Sequence, residues 1–142
     1  MSALDFQTKK KYLKKVKYLD DGINAKLEQL QDLKQLITAV NGISYNEKVQ
    51  TSKQGDAAFK VVDKIIDLEN EINNDIDELV NLKTDITHCI DCIDEPEYRL
   101  VLTLRYINLH QWDYIADYMH YSLNHIYRLH RQALSKLVVR CY

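Results

Sequence analysis

Arg128, Arg131, Lys136 and Arg140 all lie between Ser122 and Tyr142, a stretch without a single Asp or Glu. Guanidinium and ammonium groups gathered where no carboxylate offsets them are suited to phosphate oxygens. The net charge of -2 conceals this end, because from Asp56 to Glu97 the only Lys or Arg residues are Lys60, Lys64 and Lys83. A weakly acidic chain thus carries a basic C-terminal segment, the asymmetry expected of a region aimed at a polyanion. The other chemistry-bearing cluster is His88-Cys89 with Cys92. A structural zinc site takes four ligands, and no second pair lies nearby, so these cysteines read as free thiols. Gly22, Gly42 and Gly55 stand apart from one another, which excludes a glycine-rich phosphate loop, and neither a nucleophile elbow nor a zinc-protease motif occurs. Catalysis, a metal and a cofactor are not expected.

The elements that must present the basic end are helical. One proline and three glycines leave few helix breakers and argue against a turn-rich sheet. From about Asp5 to Val40, Val16, Ile23, Leu30 and Ile37 recur in heptad register, flanked by Leu13, Leu19, Leu27, Leu33 and Val40; this is the seam of a long amphipathic helix. Gly22 costs it about 1 kcal/mol relative to alanine and suggests a kink near Asp21, while Asn41-Gly42 suits a C-cap. A polar stretch over about 41–56 reads as a loop. A second helix runs from about Ala57 to Ile93, with Ile65, Ile72, Leu79, Ile86 and Ile93 in heptad register beside Leu68, Ile76, Leu82 and Ile90. Each helix would be roughly 50 Å long at 1.5 Å per residue. Two such stripes joined by one loop bury each other most economically as an antiparallel hairpin over residues 1–95. That pairing would bring Lys9, Lys10, Lys11, Lys14, Lys15 and Lys17 near Asp85, Asp91, Asp94 and Glu95. A competing reading makes the lysines an arm on DNA.

Pro96 suits the first turn of a helix and ends a preceding one, so a new domain is set at 96–142. Its three helices are expected over about Pro96–Asn108, Gln111–Met119 and Leu123–Val139. The last two fit a helix-turn-helix, which requires a small residue where the helices cross and a tight turn between them. Ala116 is that small residue, Tyr121 can pack beneath the turn, Ile126 and Leu129 face inward, and Ser122 caps the third helix. His120 stands where glycine is common, a position needing a left-handed backbone that histidine tolerates. Trp112, Tyr114 and Tyr118, aromatic at helical spacing, read first as core.

Leu104-Arg105-Tyr106-Ile107, Trp112-Asp113-Tyr114-Ile115-Ala116, Ser122 through Ile126, and Ala133-Leu134 with Leu137 follow in an order and spacing that resemble region four of sigma factors. The resemblance covers about Arg99 to Leu137. A helical hairpin ahead of such a domain is also similar to the ArpU- and RinA-like late-gene activators of phages of Gram-positive bacteria, with Ile66-Asp67-Leu68-Glu69 and Tyr127-Arg128-Leu129-His130 resembling parts of that pattern. The resemblance implies that Leu123, Asn124, Tyr127 and Arg128 face base edges in the major groove. Asn pairs bidentately with adenine and Arg with guanine, and Leu123, where sigma factors commonly carry a charge, would meet a thymine methyl. Ser122, His125, Arg131, Lys136, Gln111 and Tyr114 are then assigned to phosphates, which position without specifying.

The sequence therefore sets up an all-α chain that binds double-stranded DNA as a transcriptional regulator, with host RNA polymerase as the partner the resemblance implies and a homo-oligomer through the hairpin. Two other readings share the architecture: a small-terminase-type packaging subunit, and a helical interaction protein without DNA binding. No run of about 18 apolar residues exists to span a membrane, and the odd cysteine count without an export signal fits reduced thiols in the cytoplasm of a bacterial host.

Overall fold

Heptad rows and a shortage of helix breakers give a chain that is helical nearly throughout. The computed structural model describes residues 3–44 and 51–139 and contains, among them, no strand. Two long helices, α1 (Ala3–Ser44) and α2 (Thr51–Asp91), precede α3 (Pro96–Leu102), α4 (Trp112–Met119) and α5 (Leu123–Lys136); α3 is prolonged by a wider π turn over Thr103–Ile107.

The contacts group into two compact units, one of residues 20–78 and one of residues 1–19 with 79–142. In the first, Ile23 and Leu30 of α1 and Ile65, Leu68 and Ile72 of α2 are buried. Lys26 contacts Asp75 at 2.6 Å and Glu71 at 3.7 Å, and Lys34 contacts Glu69 at 3.7 Å. Later residues of α1 pair with earlier residues of α2, so the helices are antiparallel. The hydrogen bond to Asp75 is the main cause that holds the Lys26 ammonium above its ordinary pKa.

In the second unit, Leu13 and Val16 of α1 and Leu79, Ile86 and Ile90 of α2 are buried, as are Val101, Leu102, Ile115, Ile126, Ala133 and Leu134. Burial of each large aliphatic side chain contributes about 1.5–3 kcal/mol, so this core outweighs any single polar contact described below. Arg99 pins the junction before α3 by donating to the carbonyls of Ile93 at 2.6 Å and Asp94 at 3.0 Å. Glu95 is extended and Pro96 opens α3, where its missing N–H costs nothing.

Three expectations need correction. The loop set at about 41–56 is shorter: α1 passes through Asn41-Gly42 to Ser44 and α2 starts at Thr51, while residues 45–50 lie outside the described ones. Gln54, Ala57 and Ala58 are good helix formers, and their propensity outweighs the polar composition. Gly22 likewise sits within continuous helix. Secondly, cross-helix ion pairs also form at Lys26 and Lys34, where none was expected, and the buried Lys9 donates to the Leu134 carbonyl of α5 at 3.0 Å. Finally, α5 ends at Lys136 rather than near Val139.

The turn after α4 has the geometry that the sequence required. His120 is left-handed (φ 59, ψ 41); its N–H reaches the Asp117 carbonyl at 3.3 Å and that of Tyr121 reaches Ala116 at 3.0 Å, a Schellman closure. A side chain in this conformation is strained by about 1–2 kcal/mol, part of which glycine recovers. His120→Gly is therefore expected to raise unfolding stability by about 0.5–1 kcal/mol in urea titrations, and His120→Val, β-branched, to lower it. Equal stabilities in all three proteins would contradict this account of the turn.

Candidate nucleic-acid interface

α5 divides cleanly by face. Ile126, Leu129, His130, Ala133 and Leu134 are buried, whereas Leu123, Asn124, Tyr127, Arg128 and Arg131 are exposed. Positions 124, 127, 128 and 131 follow i, i+3, i+4, i+7, the spacing of one helical face. The first turn is fixed by Ser122, extended at φ -70 and ψ 159, whose hydroxyl accepts from the His125 N–H at 3.2 Å. The four residues assigned to base reading thus lie on an ordered, outward helix surface, with the Arg131 guanidinium one turn beyond.

The residues assigned to phosphates are dispersed. Ser122 is exposed but already serves as a cap. His125 is half-buried, its ring centroid 4.3 Å from that of Tyr121. Lys136 stands in the last turn, roughly 20 Å along the axis from Leu123, and Arg140 lies outside the described residues. Gln111 is extended, precedes α4 as its N-cap and is exposed. Tyr114 and Tyr118, read first as core, are 49% and 53% exposed. α4 buries only Ile115 and Ala116, so aromatic residues one helical turn apart on its other side stay in solvent. Their rings neighbour each other, and Tyr114 also lies 4.0 Å from His110. Trp112 is half-buried: its edge meets Tyr127 at 5.6 Å and His130 at 4.7 Å.

A buried polar pair beneath this surface was not anticipated. The Tyr106 hydroxyl lies 2.6 Å from His130 Nε2. Burial, reinforced by Lys10, Arg105, Arg131 and Lys14, pushes the imidazole down to about 4. Burial pushes the Tyr106 phenol up to about 12, against a smaller lowering by Arg105. Burial thus favours the neutral form of both groups, and one hydrogen bond joins the phenol oxygen to Nε2. The signal in the sequence was that His130 follows Ile126 by four residues and precedes Ala133 by three, a core position. Near the turn, the Tyr121 hydroxyl donates to Glu97 on α3, which raises the phenol's pKa.

Cys89 is half-buried and Cys92 exposed, both as free thiols, and Cys141 lies outside the described residues. Among the described residues, no group of three or more His, Cys, Asp or Glu could hold a metal ion, and no helix is long and apolar enough to cross a membrane.

Residues 42–138 match the model of the family described as protein of unknown function DUF1492. The match takes in well over half of the chain, and the chain belongs to that family. No curated protein and no solved structure matches it.

The Tyr106–His130 pair makes stability depend on acid. Burial pushes the folded imidazole from its ordinary 6.5 down to about 4, so as pH falls the unfolded chain takes up the proton first. The contribution is complete above about 6.5 and is lost between there and about 4, to a total of about 3 kcal/mol. Urea unfolding across that interval should show the loss, and His130→Phe should remove most of the histidine-linked slope. An unchanged slope in the variant would assign the acid sensitivity to other groups.

Proposed function

We propose that this DUF1492 protein is a sequence-specific double-stranded-DNA-binding regulator of transcription that inserts the N-terminal turns of α5 into the major groove. The observation that carries this reading is the exposed face of α5. Asn124, Tyr127, Arg128 and Arg131 share it, the helix has no acid, and its opposite side is anchored in the core. Asn124 supplies the donor–acceptor pair that fits adenine, Arg128 supplies the fork that fits guanine, and Leu123 offers an apolar contact for a thymine methyl. Arg131, Gln111 and Tyr114 hold phosphates on either side and set the register. The resemblance to sigma region four and to ArpU- and RinA-like phage activators adds a late-gene role with host RNA polymerase.

Self-association belongs to the same reading. In the unit of residues 20–78, Phe59, Val62 and Ile66 lie at spacings of three and four on α2 and are exposed at 71%, 39% and 50%. Leu27 and Leu36 of α1 are also exposed. Apolar rows of this kind mark interaction surfaces, and a second copy would give the two-fold arrangement with which helix-turn-helix proteins read paired half-sites. Light-scattering mass measurement should give a dimer, and Ile66→Glu should shift it to monomer. A ring of eight or more subunits would transfer the reading to a DNA-packaging subunit, and a monomeric wild type would remove the dimer.

Arg128→Ala should cost about 1–3 kcal/mol on the preferred duplex and much less on random duplex, whereas Arg131→Ala should weaken both alike. Fluorescence anisotropy on the two duplexes measures the difference. Equal losses for Arg128→Ala would exclude it from base reading, and no salt-dependent affinity of the wild type for any duplex would favour an interaction protein without DNA binding.

A further inference from the structure

In the unit formed by residues 1–19 and 79–142, a groove of about 390 Å³ lies between α1 and the start of α4. Lys10, Lys14 and Lys17 line it from α1, with Arg105, Gln111 and Trp112 across from them, and none of the described residues lining it is acidic. Positions 10, 14 and 17 follow i, i+4, i+7, so the three lysines occupy one helix face. Arg105 is held in place: its guanidinium lies 4.4 Å above the Trp112 ring and donates to the His110 carbonyl at 3.0 Å. The backbone is strained at the same spot, where Leu109 lines the groove at φ 60. A leucine rarely adopts this left-handed conformation, and such strain concentrates at ligand-holding sites.

Two observations connect the groove with α5. Trp112, on its wall, touches Tyr127 of the exposed face. The buried His130 imidazole also feels Lys10, Arg105, Arg131 and Lys14 as cations pushing its pKa down. Charges from α1, from the π turn and from α5 therefore converge on one region of this unit. Cations gathered around a groove whose described lining carries no carboxylate share that space at the least cost when an external anion spans them.

We infer that this groove is a second phosphate-binding site for the DNA that α5 reads, in which Lys10 and Lys14 of α1, with Arg105 and Gln111, hold the sugar–phosphate backbone flanking the major groove. The site rests on the DNA-binding reading and extends it: α1 becomes part of the interface rather than only a partner of α2. The phosphodiester lies along the lysine row, Arg105 donates with the guanidinium nitrogen not used by His110, and the Gln111 amide, uncommitted as a helix cap, donates to a phosphate oxygen. None of these contacts reads a base, so the groove adds affinity and register without sequence preference.

The test is the salt dependence of duplex binding by the full chain. Each phosphate neutralised contributes about 0.9 to the slope of log affinity against log salt, so Lys10→Gln/Lys14→Gln should make the slope shallower by about 2 on cognate and random duplexes alike. Lys14→Gln alone, at an exposed position, should remove about 1 and serves if thermal melting shows the double variant unfolded. Lys11→Gln/Lys15→Gln removes the same charge from a neighbouring face of α1 that does not line the groove, and should leave the slope near that of wild type. If wild type binds and the groove variants keep its slope, or if the control pair lowers it equally, the groove is not a phosphate site and the reading of α5 stands. If wild type binds no duplex, both readings fall together.

Discussion

Everything at the candidate interface depends on burying one side of a single helix. α5 can display Asn124, Tyr127, Arg128 and Arg131 in fixed positions because Ile126, Leu129, Ala133 and Leu134 are removed from water on the other side. α3 and α4 pack against it, and Val101 and Leu102 of α3 and Ile115 of α4 are buried in the same unit, as are Leu13 and Val16 of α1 and Ile86 and Ile90 of α2. With each side chain worth about 1.5–3 kcal/mol, the orientation of α5 is set by hydrophobic burial. Polar contacts refine it. The buried Lys9 ammonium meets the Leu134 carbonyl, where the negative end of the helix dipole favours a cation, and Ser122 closes the opposite end.

The Tyr106–His130 pair shows what a polar group contributes inside such a core. An imidazole buried there, with cations nearby, could not be charged without a large cost, so it remains neutral and shares a hydrogen bond with the phenol. A leucine at that position would bury as well but would leave the Tyr106 hydroxyl without its partner, a loss of about 1–3 kcal/mol for a buried donor. The pair thus fixes α5 against the π turn, while the charges that disfavour the imidazolium lie where they can act on an external anion.

Much of this was readable from the chain because it depended on local period. The heptad isoleucines and leucines of α2 that define its stripe, Ile65, Ile72, Leu79, Ile86 and Ile93, are all buried, since an apolar row at helical spacing has one way to leave water. The turn at His120, the cap at Ser122 and the break at Pro96 were equally local. What escaped depended on distant partners. Tyr114 and Tyr118 have a core-like composition, yet α4 meets its neighbours through Ile115 and Ala116. Lys9 sits in a lysine run read as facing the acids of the second helix or as an arm on DNA, and its hydrogen bond to the end of α5, far along the chain, was not legible. Apolar neighbours within the hairpin diverged as well: Leu27 and Ile76 belong to the predicted stripes but are 44% and 40% exposed, because heptad flanks bury only as far as the facing helix reaches.

The most direct test of the central claim is dimethyl sulfate footprinting of the full chain on duplexes selected from genomic fragments. Methylation occurs at guanine N7 in the major groove, the atom that a bidentate arginine occupies. Insertion of α5 predicts a short protected set of guanines on the selected sites, with one of them regaining reactivity in Arg128→Ala while the complex remains saturated. Saturated binding with every guanine N7 as reactive as in free DNA would contradict major-groove reading by α5.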